Sequence, residues 1–108
     1  MPIDQGLVQM LRCDLAAEPV TERKMFGGLC FLLDGNMVAG TMKASALFRV
    51  GKVNDAAALS IAGTWSMMQQ GRVMAGFVEL SIDDCSDDAR RGALCQMALS
   101  FVKSLPPK

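Results

Sequence analysis

The tripeptide Asp34-Gly35-Asn36 constrains this chain more than any other feature. It separates two apolar runs, residues 25–33 and 37–43. Gly and Asn tolerate the positive φ that tight hairpin turns need. The spacing therefore predicts a β-hairpin. Ala44-Ser45 makes a short connection to a third strand over 46–50, where Phe48 and Val50 alternate with Leu47 and Arg49. That alternation predicts one core face and one partly wet face. A second hairpin is predicted at Gln70-Gly71, joining 64–69 to 72–82. In its second strand Val73, Ala75 and Phe77 fall on one face, and Met74, Gly76, Val78 and Leu80 on the other.

Helical spacing flanks these strands. Leu7, Val8, Leu11 and Leu15 predict a helix over residues 4–17, with Asp4 as its cap and Pro19 ending the pattern. Asn54 is expected to cap a short helix through Leu59, closed by Gly63. The final helix is predicted to start at Ser86, with Asp87 and Asp88 favoured by its dipole. Its apolar stripe runs through Leu94, Met97, Ala98, Phe101 and Leu105, and Pro106-Pro107 stops it. The order is α-β(3)-α-β(2)-α: an α+β, two-layer sandwich with a five-stranded antiparallel sheet covered by helices. Residues 1–108 are expected to form one domain, a length that buries a core without disulfides or metal.

Composition narrows the chemistry. The chain has no histidine, which removes the commonest general base and the commonest metal ligand. Its 11 basic and 11 acidic residues cancel, which argues against a strongly basic nucleic-acid module. Direct DNA binding is expected to be weak or absent. No apolar run approaches a membrane span, and no secretory segment is expected at the N-terminus. Cys13, Cys30, Cys85 and Cys95 form no C-x-x-C pair and read as reduced thiols in a cytoplasmic protein.

Four groups of residues are candidate sites. Arg23 and Lys24 precede Gly27-Gly28, where backbone N–H groups and two cations could receive an anion. The spacing of a phosphate loop or dinucleotide motif is missing. A β-bulge or tight backbone packing at a strand start explains the glycines better. Arg23, Lys24, Lys43, Arg49, Lys52 and Arg72 would form a basic surface if they shared a face, but interspersed Glu22, Asp34, Asp55 and Glu79 favour a mixed, solvated one. Aromatic interleaving for single-strand binding is weak, because Phe26, Phe31, Phe48, Trp65 and Phe77 occupy mostly core-like positions. Cys85 precedes a helix, yet Asp83, Asp84, Asp87 and Asp88 oppose an activated thiol there. Those aspartates lack calcium-loop spacing and read as caps and solvated charge. Trp65, the single tryptophan, reads as core or subunit contact, with Met67 and Met68 beside it on opposite faces.

At Arg23-Lys24-Met25-Phe26-Gly27-Gly28, and at Leu33-Asp34-Gly35-Asn36-Met37-Val38-Ala39, the chain resembles the N-terminal domain of the TfoX/Sxy competence-regulator family. Leu47-Phe48-Arg49-Val50-Gly51 is similar to that family's third strand, and Gly71-Arg72-Val73-Met74-Ala75-Gly76-Phe77-Val78 to its late strand. The resemblance covers most of the chain. It implies the same α-β(3)-α-β(2)-α sandwich and a regulatory role without catalysis or cofactor. Full-length members act in bacterial DNA-uptake competence, with a cyclic-AMP-dependent transcription activator. Their second, C-terminal domain is not expected here.

The expected function is thus a non-enzymatic regulator or adaptor with a protein partner. The alternative is a small-ligand or anion-binding domain using Arg23, Lys24 and the Gly27-Gly28 backbone, with Arg49 as a further candidate. An open sheet leaves edges that need cover, so a homodimer is also expected to be accessible. Sequence does not choose the edge.

Overall fold

The computed structural model describes residues 4–25 and 27–107. Helix α1 (Gln5–Asp14) is followed by four strands: β1 (Thr21–Met25), β2 (Gly28–Leu33), β3 (Asn36–Thr41) and β4 (Ser45–Arg49). A 3-10 turn at Lys52–Asn54 leads into α2 (Asp55–Leu59). Strands β5 (Thr64–Gln69) and β6 (Arg72–Ser81) precede a second 3-10 turn and α3 (Asp88–Lys103). All neighbouring strands are antiparallel, in the order β1-β2-β3-β4-β6-β5. Among the described residues the sheet therefore has six strands, not the expected five, and the order is α-β(4)-α-β(2)-α.

The extra strand comes from splitting the expected 25–33 strand. Gly27 takes φ +74 and turns the chain, so Arg23 and Lys24 lie within the first strand of a hairpin rather than at the entry to a strand. Thr21–Met25 is polar and almost wholly exposed. Its strand character comes from pairing with β2, which no local apolar pattern announces.

Both predicted hairpins form. Asp34 and Gly35 adopt φ +53 and +82, and Gln70 and Gly71 adopt +52 and +77. These are the doubly positive turns that match strand twist. The helix ends shift. Asp4 caps α1, its Oδ1 accepting from Leu7 N–H at 2.9 Å, but the helix stops at Asp14. Asn54 does not cap α2; its side-chain amide donates to the Val50 carbonyl instead. Helix α3 is capped by Asp87 rather than Ser86, through Arg90 N–H. The buried face of α3 carries Arg91, Leu94, Cys95, Ala98, Leu99 and Val102, with Met97 and Phe101 at its margin.

All three helices contribute to one core on a single face of the sheet, where Leu7, Leu11 and Leu94 meet Phe31, Phe48, Val78 and Leu80. Cys30, Leu32, Leu47 and Met67 are buried outside that core. The register puts Arg23, Cys30, Gly40, Leu47, Glu79 and Trp65 in one row, alternating with core rows. This second face carries no helix among the described residues. On β4 this side is buried at Leu47, 1% exposed, and the expected partly wet face is met only at Arg49.

Helices α1 and α3 are tied by Arg91. Its guanidinium donates to both Asp14 carboxylate oxygens, to the Cys85 carbonyl at 2.6 Å, and pairs with Asp88 at 2.9 Å. A buried guanidinium demands such partners. This answers the desolvation cost of placing a charge on the core face of a helix. No helix among the described residues is long and apolar enough to cross a membrane.

Candidate functional site

The structure separates the residues that the sequence put forward. Arg23 and Lys24 are consecutive on β1, so their side chains leave opposite faces of an exposed strand. Arg49 ends β4, three strand spacings away, roughly 14 Å. Gly28 is buried because β2 begins against the end of β3. A Cβ on Gly28 would sit 2.0 Å from the Thr41 carbonyl oxygen. Beside it, Leu29 N–H donates to Thr41 Oγ1 at 2.9 Å. This close approach is the backbone packing that the glycine pair suggested. Phe26, inside the same motif, lies outside the described residues. Among the described residues, Arg23, Lys24 and Gly27 line no cleft with Arg49.

Arg49 belongs to a different constellation. Its guanidinium carbon stands over the Phe77 ring at 5.7 Å from the centroid and over the Phe101 ring at 5.5 Å. A cation over aromatic faces gains quadrupole attraction. Phe77 is the cross-strand partner of Arg49 on β6, whereas Phe101 comes from the last turns of α3. Together with Gly51, Lys52, Val53, Ala75 and Gly76 they line a half-open cleft of about 340 Å³. Gly51 has φ +84, and a Cβ there would fall 2.3 Å from Phe101 Cδ1. The glycine is what lets the α3 ring close the cleft wall. Sequence reasoning named Arg49 but missed Phe101, which is 52 residues away and read only as helix stripe.

The three buried cysteines carry no activated thiol. Burial pushes Cys85 up to about 11, and burial with the nearby Asp14 carboxylate drives Cys95 well above the thiol range. Burial also raises Cys30. Only Cys13 is exposed. Of the neighbouring aspartates, Asp84 and Asp87 hold Arg90, and Asp88 reaches Arg91. That is capping and ion pairing rather than a metal cradle.

Among the described residues, three of the four exposed large apolar side chains lie on the second hairpin, the fourth being Val53. Trp65 is 42% exposed, Met68 54% and Val73 59%, and Met68 faces Val73 across the strands. Met67 is buried and Met68 exposed, and the β5–β6 register shifts between Ser66 and Met68. Strand β5 pairs only with β6 among the described residues, so it is an edge. It contains no ionisable residue.

The fold and these surfaces define a small α+β domain with an open sheet face and an uncharged edge strand. A family model for the TfoX N-terminal domain matches residues 14–102. The chain belongs to that family. No curated protein matches it.

Proposed function

We propose that the chain is a non-enzymatic regulatory or adaptor domain that acts by protein contact, linked to competence or transcription control through its family. The observation that carries this reading is the β5 edge. An uncharged strand with an exposed Trp65 and Met68 offers unpaired backbone groups beside an aromatic anchor. Edge strands of this kind accept an extended peptide segment, and tryptophan is enriched at binding hot spots. The occupant is an uncharged, extended segment of a partner protein, with an apolar side chain seated against Trp65. The irregularity at Met67 leaves only Thr64–Ser66 in an unbroken ladder. Two copies pairing through so short a run would bury far less than a stable dimer needs, roughly 1,200 Å² or more. A flexible partner segment can continue from the edge across the open face.

Trp65 is the only tryptophan, so its fluorescence reports the contact directly. Partners captured from bacterial lysate would be identified and then titrated against wild type, Trp65→Ala/Met68→Lys and Arg23→Ala/Lys24→Ala. The reading expects a shifted Trp65 emission and loss of binding in the first variant alone. Equal binding by wild type and the Trp65→Ala/Met68→Lys variant would sink it. A concentration-dependent dimer in light scattering, dissolved by Met68→Lys, would reassign the edge to self-association.

A further inference from the structure

We propose that the cleft between β4, β6 and α3 is a binding site for a small organic anion with an apolar body, a carboxylate or a phosphate monoester. Arg49 supplies the anion recognition. A guanidinium stacked on rings uses only its faces, and its N–H donors radiate in plane from the edge. The Arg49 guanidinium carbon stands over both the Phe77 and the Phe101 ring. Among the described residues, Arg49 forms no ion pair and no side-chain hydrogen bond. Its fork is therefore held in place with its donors unspent. That geometry suits bidentate capture of a carboxylate or phosphate.

The other lining residues set the rest of the ligand. Lys52 adds a second cation at the rim, while Phe77, Phe101, Val53 and Ala75 supply apolar wall. The adjacent carboxylate, Asp55, accepts from Gly76 N–H at 2.9 Å and is not among the lining side chains. A volume of about 340 Å³ is at the small end of ligand sites, which run from ~300 to ~1,000 Å³. It suits a single ring or a short branched chain bearing one acid group. The site is separate from the β5 edge, so a ligand here and a partner there can be tested independently.

Phenylacetate, phenyl phosphate and neutral benzyl alcohol would be titrated at matched ionic strength, with amide and Arg49 side-chain NMR signals as readout. Saturable shifts confined to Arg49, Gly51, Lys52, Gly76, Phe77 and Phe101 are expected with one or both anions. Benzyl alcohol should bind at least about tenfold more weakly, the weight of a charge-assisted hydrogen bond. Arg49→Gln should lose about tenfold or more, and Arg49→Lys, which keeps charge but not the fork, should lose most of that. Lys52→Ala, at an exposed position, tests the rim with the fold undisturbed and should weaken binding about threefold. The preferred anion tells carboxylate from phosphate. No saturable shift in the folded protein, equal affinity for benzyl alcohol, or unchanged binding in both folded Arg49 variants would overturn the proposal.

Discussion

The two edges of one sheet have opposite characters. Strand β1 reads Thr-Glu-Arg-Lys-Met, and β5 reads Thr-Trp-Ser-Met-Met-Gln. Charge on an edge discourages another strand from pairing. At β1 the charges also serve the fold, because Arg12 of α1 grips Glu22 through two hydrogen bonds of 2.8 Å. At β5 there is no charge, and an aromatic ring faces solvent. An antiparallel sheet must end twice, and this protein charges one end and leaves the other uncharged. The basic pair that dominates the sequence therefore sits on the charged edge.

The largest test of that contrast is Gly28→Val. The new side chain would collide with the Thr41 backbone, which cannot swing aside as a flexible side-chain tip would. A destabilisation of about 3 kcal/mol is expected in denaturant unfolding. The buried Cys30, the β2 partner of Arg23, should then become reactive to thiol reagents, while Cys13 reacts in both proteins. A stable variant with Cys30 still silent would show that β1 does not depend on this approach. Next comes the uncharged edge. Trp65→Ala/Met68→Lys should cost about 2 kcal/mol of partner affinity, near thirtyfold in titration, while unfolding stability changes little. Arg23→Ala/Lys24→Ala should shift stability by less than ~0.5 kcal/mol, as exposed substitutions do, and leave partner binding intact. If it abolished binding, the assignment of the two edges would be reversed.

The smallest effect is acid dependence at β1. Hydrogen bonding from Arg12 lowers the Glu22 carboxyl below its ordinary 4.5. A depressed carboxyl contributes stability that is present above 4.5 and is lost as pH falls through the folded value. Both groups are well solvated, so screening keeps the contribution slight. The wild type should lose a little more stability than Glu22→Gln between neutral pH and the acid side of that range. Parallel stability curves for the two proteins would remove Arg12–Glu22 from the account of this edge.

The hairpins were legible because their information is local. Asp34-Gly35 and Gln70-Gly71 prescribe positive φ, and the strand ends follow. The resemblance to the TfoX N-terminal domain was legible for the same reason, in short contiguous blocks. Strand β1 was hidden because its five residues carry no apolar alternation and become a strand only against β2. Arg91 was hidden because a charge on a helix reads as surface, until Asp14 and the Cys85 carbonyl supply partners from elsewhere in the chain. The cleft was half visible. Arg49 stood out as a cation on an apolar strand, but nothing near it in sequence announces the Phe101 ring.

The Arg91–Asp14 tie has a consequence for how the chain is made. Its two members are 77 residues apart. A ribosome adding about 5–20 residues per second leaves Asp14 waiting roughly 4–15 s before its partner is synthesised. During that interval the sheet hairpins can close on local contacts, while α1 has its Leu7, Leu11 and Leu15 face but no α3 to meet it. Sealing of the core thus waits for α3, and a nascent chain halted before Arg91 would display an apolar helix face that the folded domain covers.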